Sequence, residues 1–155
     1  MTASLHEIKK ELHTLDRETI AGLCMRLAKY KKENKELLNY LLFEAHHEQA
    51  YVASVKETID ELFTTLPPRN LYLIKKTLRK ILRFVNKQIK YSGIKETEVE
   101  LRICFCVKVK KAKIPLTPGT VLFNLYQQQL NKIHAALNKL PEDLQADYQQ
   151  EVERL

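Results

Sequence analysis

The sequence predicts an all-α protein, and three observations carry that prediction. Only three Gly and five Pro occur in 155 residues, too few to punctuate a many-stranded sheet and its turns. Apolar side chains recur at spacings of three and four through most of the chain, the mark of helices with one buried face. A composition of 45% apolar and 29% charged residues lies inside the globular range and outside that of disordered chains. A chain of this length ordinarily makes one core, so a single helical domain over residues 1–155 is expected.

Ser4 and Glu7 form a capping-box pattern, in which the Ser hydroxyl accepts from the third helical amide and the Glu carboxylate reaches back. A short helix to about His13 follows. Asp16 is the next N-cap, and Ile20, Leu23, Cys24, Leu27 and Tyr30 follow it at helical spacing, so a second helix ends near Tyr30. The polar run Lys29 to Lys35 makes a connection or the first turn of a third helix. From Lys35 to Thr65 there is neither Gly nor Pro. A single helix of that length would span roughly 48 Å, so a break or bend near His46-His47-Glu48 is preferred to one rod, and a coiled-coil dimer is the less favoured reading. Leu66-Pro67-Pro68 stops the helix firmly, because proline lacks an amide hydrogen and disfavours α geometry before it.

Arg69 to Tyr91 reads as the most regular helix, with Leu71, Ile74, Leu78, Ile81, Leu82, Val85 and Ile89 on one arc, closed by Gly93 in a left-handed C-terminal position. Ile94 to Ala112 is ambiguous. Val99, Leu101, Ile103, Phe105, Val107 and Val109 alternate with polar residues and with Cys104 and Cys106, a strand pattern. No partner strand is evident, and a lone strand leaves its backbone groups unpaired. Glu96, Glu98 and Glu100 at one end and Lys108, Lys110, Lys111 and Lys113 at the other suit a helix dipole. A helix is therefore expected. Thr117-Pro118 is taken as an N-cap with proline in the first turn of a helix to about Leu140, and Pro141-Glu142-Asp143 opens a last helix to about Arg154. Residues 33–66, 69–112 and 118–154 thus form three antiparallel pairs, about eight helices in all. They make either an irregular bundle or a short stack of the HEAT or armadillo kind. No residue-level self-similarity joins the pairs, so the stack is a statement of architecture only.

The net charge of +7 is unevenly placed. Residues 62–139 hold sixteen Lys and Arg against three acids, whereas the first 61 residues and the last 16 are each net acidic. Clustered like charges weaken the compact state and focus anionic partners. Arg69, Lys76, Arg79, Lys80, Arg83, Lys87 and Lys90, with Tyr72 beside them, share about 100° of arc opposite the apolar face of their helix, with no acid among them. Like charges three and four apart each cost a few tenths of a kcal/mol. The stripe is therefore the expected polyanion-binding face, most simply for a nucleic-acid backbone, which lysines and arginines contact without reading sequence. The alternative is a protein scaffold or adaptor whose basic face meets an acidic protein segment, or is neutralised by this chain's own carboxylates. A membrane-surface role ranks lower, since the stripe lacks flanking Trp or Phe free of the core. The cluster Lys108 to Lys113 reads as a helix-dipole cap.

Chemistry beyond charge is sparsely signalled. Gly-rich phosphate loops, G-x-S-x-G and H-E-x-x-H are missing, so no enzymatic activity and no cofactor is expected. Cys104 and Cys106 would share a metal on a strand but point apart on a helix, and His46-His47 reads as an exposed helix break, so no metal site is assigned. Three cysteines in apolar surroundings suit reduced thiols, no apolar run approaches the roughly 20 residues of a membrane span, and no signal-peptide core precedes the first helix. The expected compartment is the cytoplasm. The oligomeric state is not legible.

Overall fold

The computed structural model describes residues 1–155. The chain is 77% helical, counting a π-helical turn, and has no strand; its eight α-helices run in the order α1 Leu5–His13, α2 Arg17–Tyr30, α3 Lys32–Asn39, α4 Glu48–Phe63, α5 Leu71–Ser92, α6 Lys95–Lys111, α7 Val121–Leu137 and α8 Glu142–Glu153. A π-helical turn, Tyr40–Glu44, follows α3. The chain divides into two compact units, Met1–Phe43 and Glu44–Leu155.

Local signals account for most boundaries. Ser4 and Glu7 close the capping box of α1, and the Asp16 carboxylate accepts from the Thr19 amide at the start of α2. The break expected at His46–Glu48 is present, with His47 ahead of α4, and Gly93 ends α5 at φ 70°, its amide donating to the Ile89 carbonyl. Two boundaries differ from expectation. Arg69 precedes α5, because Asn70 is the N-cap and its side chain accepts from the Leu73 amide. Thr117-Pro118 does not open α7. The Thr120 amide donates to the Thr117 carbonyl in a turn, Gly119 takes φ 87°, and Thr120 caps α7 by accepting from Phe123. Proline at 118 fits that turn, where a fixed φ is wanted and no amide is needed.

In Met1–Phe43, α2 packs on α3, and Tyr40 is the one buried residue. The core belongs to Glu44–Leu155, where Ile59, Leu78, Ile81, Val85, Leu101, Phe105 and Ile133 are fully or almost fully enclosed. Helix α6 is its centre and packs against α4, α5 and α7. This explains the alternating pattern of Ile94 to Ala112. Residues two apart on a helix point about 200° apart, so alternation writes two opposite apolar arcs. Val99 and Ile103 lie on one arc, Leu101, Phe105 and Val109 on the other, and all are buried. A strand-like period is thus the signature of a helix enclosed from both sides. Such a hub departs from a repeat stack, in which each pair touches only its neighbours, and the architecture is an irregular bundle.

Candidate polyanion-binding face

Helix α5 carries seven cations and no acid between Leu71 and Ser92, and α7 carries no acid between Val121 and Leu137. The two helices flank a cleft of about 340 Å³ lined by Arg79, Arg83, Asn86, Asn124 and Gln128. The amides of α7 therefore border the cations of α5 without neutralising them.

Of the residues assigned to the face from sequence, Arg69, Lys76, Arg79, Lys80, Arg83 and Lys90 are exposed, and none is within 4.0 Å of a carboxylate oxygen. Lys87 is half-buried and engaged in an interaction of its own. Five of the six exposed cations share the α5 face. Arg69 stands outside that helical arc and lines, with Lys113, a cleft of about 400 Å³ at the N-terminal end of α5. Tyr72 is exposed, and the Lys75 ammonium sits 5.3 Å from the centre of its ring.

Two ion pairs of Glu44–Leu155 lie between α4 and α6. Lys56 meets Glu100 at 3.3 Å and Lys108 meets Asp60 at 2.8 Å, both joining α4 to α6, so Lys108 serves an inter-helix pair as well as the helix terminus. The Asp60 hydrogen bond raises the pKa of Lys108 above its ordinary value. The Tyr148 hydroxyl of α8 donates to Glu96 and Glu100 at 2.9 and 2.7 Å. Burial and the two carboxylates raise its pKa far above the ordinary tyrosine range. Carboxylates are thus used on the α4–α6–α8 side.

One polar network ties the face to the core. Arg102 is only 5% exposed. Its guanidinium donates from Nε to Glu98 Oε2 at 2.9 Å and ion-pairs with the same oxygen through Nη2 at 2.9 Å, and it donates from Nη1 to Asn86 Oδ1 at 3.0 Å and Gln129 Oε1 at 2.8 Å. Helices α5, α6 and α7 are thereby joined through one side chain. Burial pushes the Glu98 pKa up, but the hydrogen bonds and charges of Arg102 and Lys95 outweigh it and hold the group below its ordinary value. From sequence, Glu98 reads only as a helix-dipole charge, and nothing singles out Arg102, Asn86, Asn124, Gln128 or Lys132. The acid-free run of amides in α7 is the signal that could have found Asn124, Gln128 and Lys132.

Cys24, Cys104 and Cys106 are free thiols. Burial raises the pKa of Cys104, and raises that of Cys106 to about 12, so both are protonated at neutral pH. No three His, Cys, Asp or Glu side chains converge to hold a metal ion, and no helix is long and apolar enough to cross a membrane. Comparison with protein-family models, with curated proteins and with solved structures gives no match.

Proposed function

We propose that this protein is a non-enzymatic binding domain whose α5 face takes a polyanion, a nucleic-acid backbone before any other. One observation carries the reading: Lys76, Arg79, Lys80, Arg83 and Lys90 on a single helix face are exposed with no carboxylate oxygen within 4.0 Å. Like charges at i,i+3 and i,i+4 destabilise an isolated helix, and phosphates along a strand relieve that repulsion on binding. The amides of Asn124 and Gln128 beside Arg79 and Arg83 add neutral hydrogen-bonding groups suited to sugar and phosphate oxygens. The free thiols accord with a reducing compartment, the cytoplasm. An acidic protein segment is the competing ligand for the exposed cations.

Fluorescence anisotropy of labelled single- and double-stranded oligonucleotides at several salt concentrations tests the proposal. Binding should weaken steeply with salt. Changing Lys76, Lys80 and Arg83 to Glu should lower the slope of log K against log salt by about 0.9 for each duplex phosphate that is no longer neutralised, or about 0.7 on a single strand. The variant should melt no lower than the wild type, since each reversal relieves repulsion. Absence of binding at low salt sinks the nucleic-acid reading and leaves the acidic protein segment.

A further inference from the structure

At the C-terminal end of α5 a second cleft, of about 430 Å³, lies among α5, α6 and α7, and its polar lining is Asn86, Lys90, Lys95, Glu98, Arg102 and Lys132. Its one carboxylate is committed. Glu98 Oε2 accepts the Arg102 Nε bond and pairs with Nη2, and Oε1 accepts from Lys95 at 3.2 Å. Lys90 and Lys132 are exposed and have no carboxylate within 4.0 Å.

Arg102 also decides what the amides present. Arginine only donates, so Asn86 and Gln129 each turn the carbonyl oxygen of the side chain toward Nη1. Each NH2 is left to donate elsewhere, and Asn86 lines this cleft as well as the one beside Arg79 and Arg83. A buried guanidinium thus sets the polarity of the cleft. With Glu98 satisfied, the groups left for a ligand are donors: the Asn86 NH2 and the ammonium groups of Lys90 and Lys132. A ligand that complements them offers only acceptors and carries negative charge. Four cations against one carboxylate leave an excess of three positive charges, which suits a phosphate monoester at about −1.5 to −2 better than a single carboxylate.

We infer that this cleft is a phosphate-monoester site, held by Lys90, Lys132 and the Asn86 amide, at the end of the α5 face. The phosphate is either the terminal group of a bound strand or that of a free phosphorylated compound. The site rests on its own residues; only the strand-end source rests on the proposed function above.

The test follows the Asn86 side-chain NH2 signals by NMR of the whole chain while inorganic phosphate is added, with chloride at matched ionic strength as the control. A saturable shift with phosphate, and none with chloride, is expected. Asn86→Asp retains an oxygen for Arg102 and removes the donor, and Lys132→Gln is a surface change outside the α5 stripe. Each should weaken phosphate binding about tenfold or more, followed on neighbouring backbone amides, because a hydrogen bond to a charged group contributes about 1.5–3 kcal/mol. No saturable shift, or equal affinity in Lys132→Gln, overturns the site whatever the fate of the Asp variant. Oligonucleotides with and without a 5′-phosphate then separate the sources: tighter binding of the phosphorylated strand, abolished by Lys132→Gln, assigns the strand end, and equal binding assigns a free phosphate compound. Loss of oligonucleotide binding in the Lys76, Lys80, Arg83 variant with phosphate binding intact separates the long face from the cleft.

Discussion

Glu98 is the residue whose titration reaches furthest, because its partner Arg102 joins three helices. Its folded-state pKa lies below the ordinary 4.5, so the ion pair contributes its stability in full above that value and loses it as pH falls through the lowered folded one. Urea unfolding at neutral pH should show Glu98→Gln less stable than the wild type, with the gap narrowing as the pH drops below the carboxylate range. A gap unchanged at low pH would mean that the Glu98 charge contributes nothing. Arg102 illustrates what sequence hides at this scale. Its letter is one of twenty-six cations, and only the approach of α5 and α7 makes it a buried network centre and not another surface charge.

At the scale of the element, α6 distinguishes pattern from environment. Its apolar residues alternate as in a strand, yet the acids of its first turn and the lysines of its last match a helix dipole. The lack of a partner strand decides between the two, and it decides for the helix that is observed. Two-sided burial has a measurable consequence. Phe105, whose ring centre lies 5.6 Å from that of Phe63, and Ile103 lie on opposite arcs, at 0% and 4% exposure. Phe105→Ala should cost about 3–5 kcal/mol and Ile103→Ala about 2–5 kcal/mol in denaturant unfolding. A helix with one buried face would show a large loss on one arc only. The boundary of α7 shows the opposite case, in which Thr117-Pro118 is a fair start signal that lost to Gly119 and Thr120. Two nearby capping-type threonines cannot be ranked without knowing which turn the backbone takes between them.

For the whole molecule, charge is placed unevenly: Lys56–Glu100 and Lys108–Asp60 pair α4 with α6, while five exposed cations of α5 stand beside the amides of α7 with no carboxylate within 4.0 Å. The core is uneven as well. Since Met1–Phe43 buries only Tyr40, its helices rest on local propensity, capping and the α2–α3 contact, and propensity alone barely sustains segments of this length in water. Native-state hydrogen exchange should therefore find most amides of α1 to α3 exchanging through local opening, and those of α6 near the limit set by global unfolding. Uniform protection across both units would contradict this.

The all-α class, the caps at Ser4 and Asp16, the break before α4, the double-proline stop and the Gly93 terminus were all legible in the sequence, because each depends on residues within one or two turns. So were the acid-free composition of α5 and the helical identity of α6. Whether the cations found carboxylates, which helix lay at the centre, and how Arg102 turned the amides of Asn86 and Gln129 were decided by tertiary structure alone. These depend on distances between residues far apart in the chain, and pairing energies fall off within a few ångströms, so neither spacing nor composition encodes them.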